Sequence, residues 1–222
     1  AISGYFGNRF VNESLKTSAG GTSNTCITDA PIMKLNEVMM NYIEAAVELS
    51  QLGAYSLTQV DLDKTINTLR DRKSTKMPHL TLEGNNLSVN GITINDPLRD
   101  TDVPSLIWEI RRERRIELVY EGIRFNDLRR WNKLKYADMS LNPKLNLGAW
   151  LDKEKYIVWY NNKYKPSTPI TLQTLKSINL DRNGNAGYIV PITDNNMLRK
   201  YQEKDYLYPI PLDQITLYET KG

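Results

Sequence analysis

The sequence predicts a mainly α-helical protein built from helical hairpins, with a small β-hairpin insertion and long irregular loops. Three observations carry this. Apolar residues recur at three- and four-residue steps over 35–49, 62–69 and 106–134, the period of a helix with one buried face. Asn90-Gly91 lies between alternating apolar residues, the strongest short-range signal for a hairpin. Residues 136–195 are rich in Asn, Lys, Pro and aromatics and show no sustained period, the mark of a stretch that is either functional or poorly ordered.

The first thirty residues read as loop, since Ser18 to Thr25 is a run of small and polar residues. Pro31 sits where a helix can start. Leu35, Val38, Met39, Tyr42, Ala46 and Leu49 then form an amphipathic stripe, with Gly53 as the stop. A second helix is expected from near Asp61, with Leu62, Ile66 and Leu69 as its buried stripe. Leu87, Val89, Ile92 and Ile94 flank the Asn90-Gly91 turn. Asp102 is the expected cap of a long helix, with Pro104 tolerated in its first turn.

Leu106, Ile107 and Ile110 begin the buried face of that helix, and helical steps from them land on Arg114, Glu117 and Glu121. Charges on a core stripe are costly unless paired, so these three are expected to be members of an internal ion-pair network. After Gly122 a further helix is expected to bury Phe125, Leu128, Trp131 and Leu134. Tyr206 to Pro211 reads as extended by its prolines, followed by a short tail. The hairpins thus fall at about 31–73 and 102–135, with insertions at about 80–101 and 136–205. Two such hairpins resemble tetratricopeptide (TPR) packing without its consensus residues, and alone they leave apolar faces uncovered.

Composition narrows the function. The 222 residues carry 25% charged and 40% hydrophobic residues and a net charge of +3, too small to imply nucleic acid by itself. Cys26 is the sole cysteine, which excludes an intrachain disulfide and a multi-cysteine zinc site. His79 is the sole histidine, and nothing near it reads as a triad or metal partner, so a surface role is expected. No apolar run is long enough to span a bilayer.

Arg114, Glu117 and Glu121 lie on one helix face, whereas glycoside hydrolysis needs two carboxylates facing across a cleft, so structural pairing is the better reading and no catalytic residue is assigned. Seven arginines lie between Arg111 and Arg130, but interleaved acids favour internal pairing over a phosphate-tracking face. Asp181 to Asn185 has alternating oxygen ligands, yet its glycine falls at the fourth place and no Glu closes the loop. A turn fits it better than a calcium site, and no metal or cofactor is expected.

Trp150, Trp159, Tyr160 and Tyr164, with Asn161 and Asn162 beside them, fall in the irregular stretch. The apolar C–H face of a sugar stacks on aromatic rings while its hydroxyls take amide partners, so Trp150, Trp159, Tyr160, Tyr164 and Asn161 are the candidate ligand-binding residues. For each alone, a role in gluing the insertion to the helices stands beside that reading.

Three segments carry a resemblance to a known family, in order along the chain. The most specific runs from Ile110 to Trp131, IRRERRIELVYEGIRFNDLRRW. The second pairs Leu35 to Ala46 with Ile66 to Arg72, and the third is Tyr208-Pro-Ile-Pro211, with Gly4-Tyr5 near the start. Together they resemble the SusD/RagB family over nearly the whole chain. The resemblance implies a non-enzymatic surface lipoprotein that captures glycans, or peptides in the RagB branch. Its implied partner is a SusC-like, TonB-dependent outer-membrane transporter. It also implies a C-terminal half whose N-terminal half, with further TPR-like helices and the lipid anchor, is absent here. Cys26 lies too far inside the chain to be that anchor. A TPR-like adaptor that binds only proteins is the reading from another class.

Overall fold

Helix α1 (Leu35–Gln51) carries apolar residues on two stripes, and the structure buries one of them. In this computed structural model, which describes residues 2–5 and 31–220, Met40, Ile43 and Val47 form the core face. Of the stripe read from the sequence as the buried one, Leu35, Val38, Tyr42 and Leu49 are open to solvent, Met39 is half-buried and only Ala46 is buried. Both stripes have helical spacing, so periodicity alone cannot rank them. Gly53 follows with φ of 69°, and the Ala54 N–H returns to the Leu49 carbonyl, the left-handed geometry that closes helices. The loop expected over the first thirty residues and Cys26 lie, apart from 2–5, outside the described residues.

The described residues divide into two units, 31–124 and 2–5 with 125–220. In the first, the second helix has three pieces: α2 (Gln59–Leu62), a π-helical turn (Asp63–Asn67) and α3 (Thr68–Arg70). It starts before Asp61 because Thr58 caps it, donating both its N–H and its hydroxyl to the Asp61 carboxylate. Tyr42 and Tyr55 hydroxyls donate to the same group at 2.7 and 2.9 Å. Burial opposes ionisation of Asp61, but the hydrogen bonds prevail and hold its pKa down to about 2. The π turn carries buried Asn67, whose amide donates to the Leu80 carbonyl and accepts the Leu80 N–H at 2.9 and 2.8 Å. Gln59 does the same for Leu80 and Leu82, so two side-chain amides lace this helix to the sheet.

That sheet has three antiparallel strands, β1 (Thr81–Glu83), β2 (Asn86–Val89) and β3 (Ile92–Thr93). Val89 pairs with Ile92 around Asn90-Gly91, whose φ values of 51° and 74° suit a hairpin turn of the primed type. A second hairpin at Gly84-Asn85 adds β1, a strand not expected from the sequence. Leu87 is fully buried in the core and anchors the sheet, a burial worth about 1.5–3 kcal/mol.

Helix α4 (Ser105–Glu117) completes the core with Leu106 and Ile110. Pro104, and not Asp102, is the residue before its first turn; Trp108 N–H bonds the Pro104 carbonyl. The helix ends at Glu117, so Glu121 lies in the turn after it, where Tyr120 takes a φ of 64°.

In the second unit, α5 (Arg124–Arg130) is shorter than expected, because Asn132 at φ 56° breaks it before Leu134. Leu128, Trp131 and Leu134 still cluster, with Tyr201 and Tyr206 packed on them, but Phe125 is exposed rather than buried. Asp138 ties the unit together: it accepts from Ser140, Leu141 and the Tyr201 N–H, and these bonds, Ser140 first, lower its pKa to about 2. The stretch expected to be irregular contains β4 (Trp150–Asp152), helix α6 (Lys153–Tyr164) and β5 (Ala186–Tyr188), with β4 and β5 antiparallel. The N-terminal Ser3 carbonyl accepts the Ala149 N–H, an approach that any Cβ at Gly148 would block. After the extended Tyr208 to Pro211 comes helix α7 (Leu212–Glu219) instead of a short tail.

Candidate ligand-binding site

Asp152 starts α6 by accepting the Lys155 N–H, and Lys165 in the left-handed region ends it. Between them the helix sorts its side chains by face. Lys153, Ile157 and Asn161, at four-residue steps, turn toward the unit. Lys153 is buried and its Nζ donates to the Ile178 carbonyl at 2.8 Å. Asn161 donates to the Ile170 carbonyl and accepts the Ile170 N–H, both at 2.9 Å, which pins the following loop to the helix. Its amide is therefore spent on structure, and the neighbouring exposed amide is Asn162.

Tyr156, Trp159, Tyr160, Lys163 and Tyr164 lie at i, i+3, i+4, i+7 and i+8 and form one continuous face. The rings touch in sequence. Tyr156 is 5.7 Å from Trp159 and 5.9 Å from Tyr160, and Tyr164 is 5.8 Å and 4.9 Å from the same two. Trp159 and Tyr164 remain 48% and 54% exposed although they pack on one another. This face carries no aliphatic side chain, and each ring has a polar tip. By helical rise it runs about 12 Å, one ring or more per turn of about 5.4 Å.

Trp150 stands apart from that face, on β4. It meets its cross-strand partner Tyr188 edge-on at 5.1 Å, and the Arg182 guanidinium lies 4.9 Å from its ring. Arg182 is in turn paired with Asp181, whose Oδ1 also accepts the Tyr188 N–H at 2.7 Å. The Asp181 to Asn185 segment thus uses its carboxylate to close the β4–β5 sheet. The sequence reading passed over Tyr156, Lys163, Tyr188 and Arg182. For Tyr156 and Lys163 the signal was present, as helical steps from Trp159 and Tyr160.

The charged residues of α4 face other helices. The Arg114 guanidinium is 3.3 Å from Glu44 of α1, both about 4% exposed, and donates to Asn41. Glu117 takes a two-pronged bond from Arg72 and accepts Asn36 Nδ2 at 2.7 Å. Glu121 is 3.3 Å from Lys34, and Arg70 forks onto Glu113 while donating to the Pro78 carbonyl. Glu109 is buried beside Arg112 at 2.6 Å; burial pushes its carboxyl up and Arg112 opposes that. His79 lies on the surface against Asp71.

A cleft of about 200 Å³ lies elsewhere in the second unit, lined by Ile2, Ile178, Ile189, Val190 and Pro191 among others, and none of the candidate binding residues borders it. Among the described residues no group of three or more His, Cys, Asp or Glu is placed to hold a metal ion. Among them, too, no helix is long and apolar enough to cross a membrane.

Residues 2–220 match the SusD family. No curated protein matches the chain. Among solved structures, a SusD-like carbohydrate binding protein from Bacteroides fragilis is similar, at 26% identity and a TM-score of 0.45. The match covers 85% of this chain and 28% of that one, so this chain spans less than a third of its relative's length.

Proposed function

The chain belongs to the SusD family, and from that premise we propose that it binds glycans non-enzymatically for uptake at the cell surface. The carrying observation is the aromatic face of α6, on which Tyr156, Trp159 and Tyr164 are exposed and Tyr160 is half-buried. Flat rings with polar tips offer apolar C–H faces of sugars a stacking surface, and the exposed Asn162 stands ready for hydroxyls. Successive rings one turn apart let neighbouring sugar units engage in register. Glu113 and Glu117 of α4 and Glu121 after it do not compete with this reading as catalysts, since Arg70, Arg72 and Lys34 pair with them. The captured glycan passes to a SusC-like, TonB-dependent transporter in the outer membrane, with the chain attached to the surface through a lipid anchor on an N-terminal part outside it.

Calorimetric titration of the chain against a panel of polysaccharides and peptide mixtures tests the proposal. Saturable binding to a glycan class, weakened about tenfold or more by Trp159→Ala, is expected. Binding of peptides and of no glycan would replace the glycan reading by peptide capture.

A further inference from the structure

Resting on the glycan reading, we infer that the α6 face takes an acidic polysaccharide, one that bears carboxylate or sulfate groups. The charge of the chain points there. Residues 156–180 contain three lysines, Lys163, Lys165 and Lys176, and no Asp or Glu. The rest of the chain sets 26 basic against 26 acidic side chains, so a stretch of this length without an acid stands out.

Lys163 stands within the aromatic face itself. Its Nζ is 4.9 Å from the Trp159 ring centre and 5.3 Å from that of Tyr164, and it has no ion-pair partner among the described residues. Lys165, in the left-handed cap, and Lys176 are exposed and likewise without an ion-pair partner among the described residues. Elsewhere in this unit Arg182 over Trp150 is balanced by Asp181, Lys155 at the start of α6 pairs with Asp152, and Arg129 over Tyr208 donates to the Tyr206 carbonyl. Cations in the last turn of a helix complement its dipole, which accounts for a lysine near the end of α6. It does not account for a lysine stacked between two exposed rings, nor for the absence of any acid over twenty-five residues. A ring that stacks a sugar and a cation beside it that meets the sugar's acid group make a two-part contact that a neutral glycan satisfies by half. Unpaired surface cations also raise the encounter rate with a polyanion and fix its register along the rings.

Matched pairs of polymers that differ in charge alone test this: polygalacturonate against its methyl ester, and dextran sulfate against dextran, each titrated into the chain in buffer with EDTA. In at least one pair the acidic member is expected to bind at least tenfold more tightly than the neutral one, and less tightly as sodium chloride is raised. The pair that shows the preference identifies carboxylate or sulfate. Trp159→Ala is expected to weaken the acidic member, and Lys163→Gln with Lys165→Gln to remove the preference, with unchanged circular dichroism. Equal binding of both members of each pair would overturn the acidic inference and leave the glycan reading standing. So would preference for the acid that survives the lysine substitutions or ignores Trp159→Ala, the mark of diffuse attraction. If no polymer of either pair binds, the acidic inference falls, and the wider polysaccharide panel decides the glycan reading separately.

Discussion

Asp61 shows how one side chain can organise a helix start. It receives hydrogen bonds from Tyr42, Tyr55 and both donors of Thr58, and its pKa falls from 3.8 to about 2. A group with a depressed folded pKa stabilises the fold above its unfolded pKa, and that stabilisation is lost as pH falls through the folded value. Asp138 behaves alike in the other unit. Denaturant midpoints are therefore expected to drop between pH 4 and pH 2, on the order of the two pKa values, and Asp61→Asn should flatten the drop while lowering stability near neutrality. At Gly148 the constraint is steric. Because Ser3 occupies the space of a Cβ, Gly148→Ala should detach 2–5 from 149 and destabilise by about 1 kcal/mol or more, read from thermal unfolding.

At the scale of elements, the charged end of α4 was legible from sequence and its partners were not. Periodicity carried the core stripe from Ile110 onto Arg114 and Glu117, and a charge there demands a counterion. Which counterion depends on contacts across 45 to 81 residues, such as Arg72 to Glu117 and Asn36 to Glu117, and local pattern holds no such information. Removing one partner of a buried pair leaves the other uncompensated, so Arg114→Met should cost about 3–5 kcal/mol in denaturant unfolding. The double substitution with Glu44→Leu should cost less than the sum of the two single ones.

Helix α6 gives the converse lesson. Its rings have helical spacing, but Asn161-Asn162 and the nearby prolines masked it as loop, and its outward face buries nothing that would mark it as core. Asp152→Ala should cost about 1 kcal/mol of helix stability and speed amide exchange over 153–157.

Across the whole molecule, the mainly helical class, the turn and stop signals at Asn90-Gly91 and Gly53, and the family resemblance were readable from sequence, because each rests on local chemistry. Choosing which stripe of α1 faces the core was not, since Leu35, Val38 and Leu49 compete with Met40, Ile43 and Val47 on equal terms. The candidate site was legible in its residues and not in its geometry: Trp159, Tyr160 and Tyr164 share a face, Asn161 turns inward to Ile170, and Trp150 joins a separate pair with Tyr188. The lysines of 156–180, a stretch without any acid, add to that picture.

The most direct test is amide hydrogen exchange of the chain with and without a saturating glycan identified by titration. A sugar chain stacked along Tyr156, Trp159, Tyr160 and Tyr164 predicts slowed exchange concentrated over 153–164, abolished by Trp159→Ala. Protection confined to other segments, with α6 exchanging as in the free protein, would contradict the assignment of this face as the binding site.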